Sequence, residues 1–350
     1  MSKCRSGRVT GLSGPRAAVP FLDVLHLIIF LFASSLILNA GSAATARAQE
    51  INFGIISTES SQNLRTMWDP FLEDMRKVTG LDIKAFFATD YAGIIEGMRF
   101  DKVQLAWYGN KAAMEAVDRA DAEVFMQTLA ADGSEGYYSH IIANVSSPLA
   151  SIEDMFKAAG TLNFGNGDPN STSGFLVPGY YVFALNGVDP KTAFKRTVTS
   201  NHESNALSVA NGQVDVATCN SEALDRLAIT FPEKRGLIKV IWTSPLIPSD
   251  PLVRRKDMPQ ETKRKIEDFL LAYGQGGDAR EAEILKNLQW RGFKASNDDQ
   301  LVPIRQLELF KEKKALEDRG GLNAQQKARL GKIEAELSEL EAKMAELAKK

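Results

Sequence analysis

The sequence has 350 residues, of which 44% are hydrophobic and 25% are charged, and its net charge is −2. The first 48 residues carry five positive charges and one negative charge, so the remainder carries a net charge of −6. An acidic chain is poorly suited to nucleic acid, whose phosphates attract basic surfaces. The length after residue 48 is enough for two domains with well-buried cores.

The N-terminus has the pattern of a secretory signal peptide over residues 1–48. Basic residues precede an apolar run at residues 24–38, and small residues lead to Ala46-Arg47-Ala48. The run is shorter than the roughly 20 apolar residues that span a bilayer. We therefore expect export and removal of this segment, with a retained membrane anchor as the alternative.

Removal of the signal peptide would also remove Cys4 and leave Cys219 as the remaining cysteine. No intrachain disulfide could then form, so stability must come from packing. Cys219 directly follows the largely apolar residues 214–218 and is expected to be a small buried hydrophobic side chain.

From Ile51 onward, short β-branched or aromatic runs alternate with amphipathic helical segments. This pattern predicts an α/β protein with largely parallel sheets. The first series has predicted strands at residues 51–56, 82–87, 104–107 and 123–127, and helices at 62–78, 92–99 and 110–117. The second has strands at residues 161–164, 196–199, 214–218 and 238–242, and helices near 173–185, 203–210 and 222–229.

Two extended segments, at residues 137–145 and 242–251, are predicted to cross between two lobes. The second contains Pro245, Pro248 and Pro251, and proline fixes φ and favours extended geometry in its predecessor. We expect a ligand cleft between the lobes, where the carboxyl ends of parallel strands and the helix N-termini meet.

Residues 165–174 place Ser171, Thr172 and Ser173 at the predicted first turn of a helix. No Lys or Arg lies between Asn163 and Leu185. Free amide N–H groups and the helix dipole bind anions at such a position without a cationic side chain. An ordinary Ser/Thr N-cap is the alternative interpretation.

Residues 322–350 are rich in Glu, Lys and Ala and contain no proline. Their apolar residues are spaced by three and four, at Leu330, Ile333, Leu337, Leu340, Met344 and Leu347. This spacing predicts a coiled-coil helix that pairs two protomers in a homodimer. The alternative is an amphipathic helix that packs on its own lobe.

Several motifs resemble the periplasmic phosphonate-binding proteins of phosphonate ABC transporters. They are NFGIISTES at residues 52–60, DYAGII at 90–95, WYGN at 107–110, GNGDPNSTSG at 165–174, SPLIPSDP at 244–251 and LVPIRQL at 301–307. The resemblance extends over nearly the whole chain after the signal peptide. It implies a type II periplasmic-binding-protein fold, in which two crossing strands join two α/β lobes, with a C-terminal helical extension.

The resemblance also implies boundaries, location and partners. Lobe 1 is expected at residues 49–142 and 246–320, lobe 2 at 143–245, and the C-terminal helix at 321–350. The location implied is the periplasm, and the partners are a phosphonate ligand and the permease subunits of an ABC transporter at the inner membrane. No catalytic residue, metal or cofactor is implied.

Eight ligand-binding residues follow from the same resemblance. Three hydroxyl residues and a histidine are implied to bind the phosphonate, two tyrosines to line the cleft, and two carboxylates to receive the amino group of 2-aminoethylphosphonate. In that order they are Ser171, Thr172, Ser173, His202, Tyr91, Tyr137, Glu222 and Asp250.

Each of these residues has a plainer interpretation when it is considered alone. Glu222 fits a solvated carboxylate at a helix start, and Asp250 fits a turn. Tyr91 and Tyr137 fit partly buried packing residues, and His202 fits an exposed residue in a first turn. Only their joint occurrence in one set of motifs favours a binding site.

Two other functions remain open from the sequence. An exported phosphonate- or phosphite-sensing domain would use the same cleft. An organophosphonate hydrolase has little support, because only His140 and His202 follow the signal peptide and no metal-ligand or nucleophile motif is present. Among ligands, phosphate should bind weakly, because it leaves two carboxylates without a cation.

Overall fold

The computed structural model describes Gly11 and residues 50–349. The predicted signal peptide therefore lies, apart from Gly11, outside the described residues. Across the described part of the chain, no helix combines the length and the apolar character that a bilayer span requires.

Thirteen strands are present in the described residues, together with twelve α-helices. The strands are β1 (Glu50–Ile55), β2 (Asp82–Phe87), β3 (Leu105–Trp107), β4 (Ala122–Ala130), β5 (Gly136–Tyr137), β6 (Ser139–Asn144), β7 (Asn163–Asn166), β8 (Arg196–Thr199), β9 (Val216–Asn220), β10 (Ile238–Thr243), β11 (Ile247–Pro248), β12 (Pro251–Arg255) and β13 (Trp290–Ala295). The helices are α1 (Ser61–Thr79), α2 (Tyr91–Arg99), α3 (Asn110–Arg119), α4 (Ile152–Ala158), α5 (Pro190–Ala193), α6 (His202–Ala210), α7 (Ser221–Thr230), α8 (Pro232–Arg235), α9 (Gln260–Ala272), α10 (Ala279–Asn287), α11 (Val302–Glu317) and α12 (Ala324–Leu347).

The first sheet has six strands in the order β13-β4-β12-β3-β1-β2. Its core contains a cluster of aromatic rings around Trp68 of α1. The Trp68 ring lies 5.3 Å from Phe53 and 5.4 Å from both Trp107 and Trp290, measured between ring centroids. Such aromatic pairs bury large apolar areas and restrict ring orientation. The cluster therefore fixes Trp107 at the end of β3.

The second sheet has five strands in the order β10-β6-β9-β7-β8. On one face, Phe164 of β7 stacks on Phe194 at 4.6 Å and meets Phe183 edge-on at 5.3 Å. On the other face, α6 and α7 pack through a separate apolar cluster that includes Cys219, which is fully buried as expected. These two packed faces hold the carboxyl ends of β7 and β9 in place.

The chain passes between the two sheets at two points. β5 and β11 pair antiparallel there, with Tyr137 opposite Ile247 and Gly136 opposite Pro248. β6 then continues into the second sheet, and β12 returns to the first. β6, β10, β12 and β13 all pair antiparallel with their neighbours. The prediction of largely parallel sheets is thus wrong in part: β1 pairs parallel with β2 and β3, and β7 pairs parallel with β8 and β9.

The helix predicted near residues 173–185 differs in type from the expectation. The structure has π turns at Thr172–Leu176 and Gly179–Phe183 and a 3₁₀ turn at Ala184–Asn186. Pro178 lies between the two π turns and has no N–H to donate, so a regular α-helical ladder cannot pass through it.

The C-terminal helix α12 packs against α11 of the same chain. Ile333 and Leu337 of its apolar stripe are buried, and Arg329 pairs with Glu312 of α11. This is the arrangement given above as the alternative to a coiled coil between protomers. It uses the centre of the apolar stripe for contacts within one chain.

Candidate functional site

All eight predicted site residues line one small, enclosed cavity. The cavity lies where helix N-termini from both sheets meet, namely the starts of α2, α3, α6, α7 and the π turn at Thr172–Leu176. Partial positive charge and free N–H groups are concentrated at helix starts. The residues that line the cavity are Ile56, Thr58, Tyr91, Trp107, Gly109, Tyr137, Ser171, Thr172, Ser173, His202, Asn220, Glu222, Arg226 and Asp250.

The turn that carries the three hydroxyls is fixed by short-range backbone contacts. Ser171 caps the π turn, and its side chain accepts a hydrogen bond from the Gly174 N–H at 2.9 Å. The Gly167 N–H donates to the Gly174 carbonyl at 3.1 Å. A Cβ atom on Gly167 would lie 2.4 Å from that carbonyl oxygen, so only glycine allows the approach.

Each of the three hydroxyl oxygens already accepts a hydrogen bond from an N–H group. Ser171 accepts from Gly174 at 2.9 Å, Thr172 from the Lys111 backbone at 2.8 Å, and Ser173 from the Asn220 side chain at 3.1 Å. A hydroxyl has one proton to donate. With an acceptor lone pair of each already used, all three can turn their protons toward an anion in the cavity.

His202 lies next to this group in a buried position at the first residue of α6. Its Nε2 atom is 3.4 Å from both the Ser171 and the Ser173 hydroxyl oxygens. Burial lowers the pKa of His202 to about 3, and the charge of Arg226 acts in the same direction. The imidazole is therefore neutral at physiological pH and adds one N–H donor without adding charge.

Glu222 and Asp250 form the acidic part of the cavity. Burial raises the pKa of Glu222 to about 7, partly offset by the charge of Arg226. Burial also raises the pKa of Asp250 well above its usual range, and the charge of Glu222 adds to that effect. The Asp250 Oδ1 atom is buried without a hydrogen-bond partner. Two carboxylates held this way favour a cation beside them.

Tyr91 and Tyr137 are both buried in the cavity wall. Burial raises the pKa of each phenol; the charge of Asp168 adds to this for Tyr91, and the charge of Asp250 adds to it for Tyr137. Both phenols therefore keep their protons and remain donors. His202 is buried and so does not occupy the exposed position that the plainer interpretation gave it.

Four lining residues with polar side chains were not predicted from the sequence: Thr58, Trp107, Asn220 and Arg226. Thr58 Oγ1 and Trp107 Nε1 are buried without hydrogen-bond partners. Thr58 and Trp107 fall inside two of the recognised motifs, and Asn220 directly precedes Ser221 and Glu222, so the motifs were the available signal. No comparable signal marked Arg226.

Several hydrogen bonds join the two sides of the cavity directly. Asp168, after β7, accepts from the backbone N–H of Tyr91 at 3.2 Å. Glu203 of α6 accepts from the Ser60 N–H at 2.6 Å and from the Asn63 side chain at 2.5 Å. These contacts link helices that pack on the first sheet to a loop and a helix that follow strands of the second sheet, so the structure represents a closed cleft.

Comparison with solved structures identifies the fold. Solved structures with the same fold include a Prochlorococcus marinus protein determined with methylphosphonate, which has a TM-score of 0.66 and 20% identity and covers 74% of this chain and 96% of its own. Similarity at that level shows the fold. The chain thus has the periplasmic-binding-protein fold, with two α/β lobes joined by crossing strands and C-terminal helices.

Closer relatives identify the family. Residues 53–301 match the family described as ABC transporter, phosphonate, periplasmic substrate-binding protein. The chain is 57% identical to the phosphonates-binding periplasmic protein of Escherichia coli over 303 residues, which is 86% of this chain and 89% of that protein. A binding protein component of an ABC phosphonate transporter from Pseudomonas aeruginosa has a TM-score of 0.83 and 60% identity, with coverage of 86% and 99%. The chain therefore belongs to the family of periplasmic substrate-binding proteins of phosphonate ABC transporters.

Membership confirms the resemblance seen in the motifs. The related proteins are substrate-binding components of transporters, and their family is periplasmic. Among residues 50–349, no group of three or more His, Cys, Asp or Glu side chains is arranged to hold a metal ion.

Proposed function

We propose that this protein captures organophosphonates in the periplasm, with 2-aminoethylphosphonate as its ligand, and delivers them to an ABC transporter. One observation carries the proposal: a single cavity combines three hydroxyls that can donate and a neutral histidine with the carboxylates of Glu222 and Asp250. A zwitterion with an oxyanion and an ammonium group matches such a cavity.

The three residues with hydroxyl side chains would bind the phosphonate oxygens. Ser171, Thr172 and Ser173 supply protons, and the helix-start amides add N–H donors and partial positive charge. In the tautomer that carries its proton on Nε2, His202 adds a further donor. All of these donors are uncharged, so they bind the anion without repelling the ammonium group on the same ligand.

The two carboxylates would bind the ammonium group. An alkyl phosphonate would leave them buried without a cation, and buried charges without partners are unfavourable. Protonation relieves part of this penalty, which agrees with the raised pKa values of Glu222 and Asp250. An ammonium group would relieve it through charge-assisted hydrogen bonds.

Calorimetry with 2-aminoethylphosphonate, ethylphosphonate and phosphate tests the proposal. Hydrogen bonds to charged groups contribute roughly 1.5–3 kcal/mol each, so Glu222→Gln or Asp250→Asn should weaken the amino ligand about 10- to 150-fold. Ethylphosphonate should lose far less. Asp225→Asn is the matched control, because Asp225 is an exposed residue of the same helix. Equal losses for both ligands would contradict the assignment of the two carboxylates.

Export and delivery are also part of the proposal. Residues 1–48 have a signal-peptide pattern, and the family is periplasmic. Cell fractionation and a growth assay on phosphonate test this part. A protein released from the periplasm that restores growth together with its permease supports uptake. A membrane-retained protein that changes the activity of another protein would instead support the sensing function.

A homodimer through α12 also remains a proposal. Leu340, Met344 and Leu347 of its apolar stripe are only partly buried by α11, so they could contribute to a second contact. Sedimentation equilibrium tests this. A concentration-independent monomer mass would exclude the homodimer, and Leu340→Glu should abolish it if it forms.

A further inference from the structure

Glu59 and Arg226 form a buried ion pair between the two lobes. The Arg226 Nε group donates to the Glu59 carboxylate, and the side chains are only 5% and 7% exposed for Glu59 and Arg226, respectively. Glu59 lies just after β1 of the first sheet. Arg226 lies on α7, which follows β9 of the second sheet. The pair therefore depends on the closed arrangement of the lobes.

Arg226 also lies one helical turn after Glu222 on α7. Residues four apart on a helix are neighbours, and a carboxylate four residues before a cation is a favourable pair. Both residues line the cavity, whereas Glu59 does not. In the closed form, the Arg226 guanidinium donates to Glu59.

A guanidinium beside Glu222 conflicts with recognition of an ammonium group. It would repel the ligand cation and would occupy the carboxylate that the cation needs. Glu59 resolves this conflict in the closed form, because it binds Arg226 and neutralises its charge. When the lobes separate, Glu59 moves with the first lobe, and Glu222 remains one helical turn before Arg226, on the same face of its own helix.

We propose that Glu59 determines ligand specificity without touching the ligand. On closure it binds Arg226 and so leaves the Glu222 carboxylate available to the ligand's ammonium group. This inference rests on the proposed function, because it assumes that Glu222 receives an amine. Glu59 is accordingly a positioning residue, and Arg226 is the group that it positions.

The test compares the affinities of the purified protein for 2-aminoethylphosphonate and ethylphosphonate at pH 8 by calorimetry. The readout is the preference, defined as the ratio of the two Kd values. Glu59→Gln should release Arg226 to Glu222 and lower the preference about tenfold, which is the smaller end of the effect of losing one charged hydrogen bond. Arg226→Gln should keep the preference within about threefold of wild type, and so should the double variant Glu59→Gln/Arg226→Gln.

Glu203→Gln serves as the matched control. Glu203 also joins the two lobes, through Ser60 and Asn63, but does not line the cavity. Its loss should weaken both ligands by the same factor and leave the preference unchanged. If Glu59→Gln also weakens both ligands by the same factor, its effect is only on stability or closure. That result would overturn the proposal.

The double variant also protects the test against misfolding. It leaves no unpaired charge from this pair, so it should fold even if Glu59→Gln does not. If the double variant or Arg226→Gln loses the preference for the amino ligand, the proposal is wrong. If wild type itself shows no such preference, the proposed ligand is wrong, and that outcome is visible before any variant is measured.

Discussion

The Thr172 hydroxyl accepts a hydrogen bond at 2.8 Å from the backbone N–H of Lys111, the second residue of α3. The N-cap residue of α3 is Gly109, which has no side chain to make that bond. A residue of the second lobe thus caps a helix of the first. Since capping bonds of this kind contribute about 1 kcal/mol, the contact favours the closed cleft.

Thr172→Val should weaken 2-aminoethylphosphonate and ethylphosphonate alike, by about tenfold or more. Valine keeps the shape but removes the acceptor for Lys111 and the proton proposed for the phosphonate. Thr172→Ser should retain most of the affinity, because it retains the hydroxyl. Calorimetry with both ligands measures the effect, and wild-type affinity in Thr172→Val would contradict the role given to this hydroxyl.

Gly167→Ala should abolish binding of all phosphonates. The new Cβ atom would lie 2.4 Å from the Gly174 carbonyl oxygen, so the backbone that presents Ser171, Thr172 and Ser173 must shift. Gly160→Ala is the control, because nothing lies within 4 Å of the Cβ position there. Equilibrium binding and thermal unfolding of both variants test this. Normal binding by a folded Gly167→Ala protein would show that the close approach is dispensable.

The preference for an amino ligand should rise with pH between about 6 and 8. The pKa of Glu222 is raised to about 7, so this carboxyl is mostly protonated at pH 6 and mostly ionised at pH 8. For one group the change in preference is about tenfold. The ammonium group lowers the second phosphonate pKa of the amino ligand relative to ethylphosphonate, so the carboxylate is isolated by comparing the wild-type ratio of affinities with that of Glu222→Gln. Glu222→Gln should flatten the profile, and an unchanged slope would argue against Glu222.

Acid should destabilise the protein partly through His202. Its pKa falls to about 3 in the folded state, so between that value and the ordinary value near 6.5 only the unfolded state binds the proton. Stability from His202 is therefore lost as the pH falls from 7 to 5. Glu222 and Asp250 affect stability in the opposite direction. Their pKa values are raised in the folded state, so the stability that they contribute is lost as the pH rises.

Comparison with His202→Gln separates these effects. From pH 7 to 5, the free energy of unfolding of wild type should fall by about 2 kcal/mol more than that of the variant. Urea denaturation at the two pH values measures it. Parallel losses in wild type and variant would show that His202 takes up its proton while the protein is folded.

Local sequence patterns predicted much of the fold. β2 and β8 fall at the predicted residues, and α6 and α7 begin within one residue of the predicted starts. Alternating β-branched runs and helix caps such as Asn201 and Asn220 carry this information within a few residues. The resemblance also predicted eight site residues, and they line one cavity; their roles in binding stay predictions.

The remaining features depend on contacts between residues far apart in sequence. The Glu59–Arg226 pair joins residues 167 positions apart. The sequence around either residue does not indicate which residue it pairs with. The direction of β12 depends on its passage between lobes rather than on its side chains. The π turns around Pro178 likewise reflect a hydrogen-bond register that helix propensity does not encode.

Cys219 has a consequence for biogenesis. It is fully buried in β9, and burial raises the pKa of its thiol to about 12, so the reactive thiolate is scarce at neutral pH. Residues 49–350 contain no second cysteine with which it could pair. A chain that has lost residues 1–48 would therefore fold without forming a disulfide, and its folding yield should be the same in oxidising and reducing compartments.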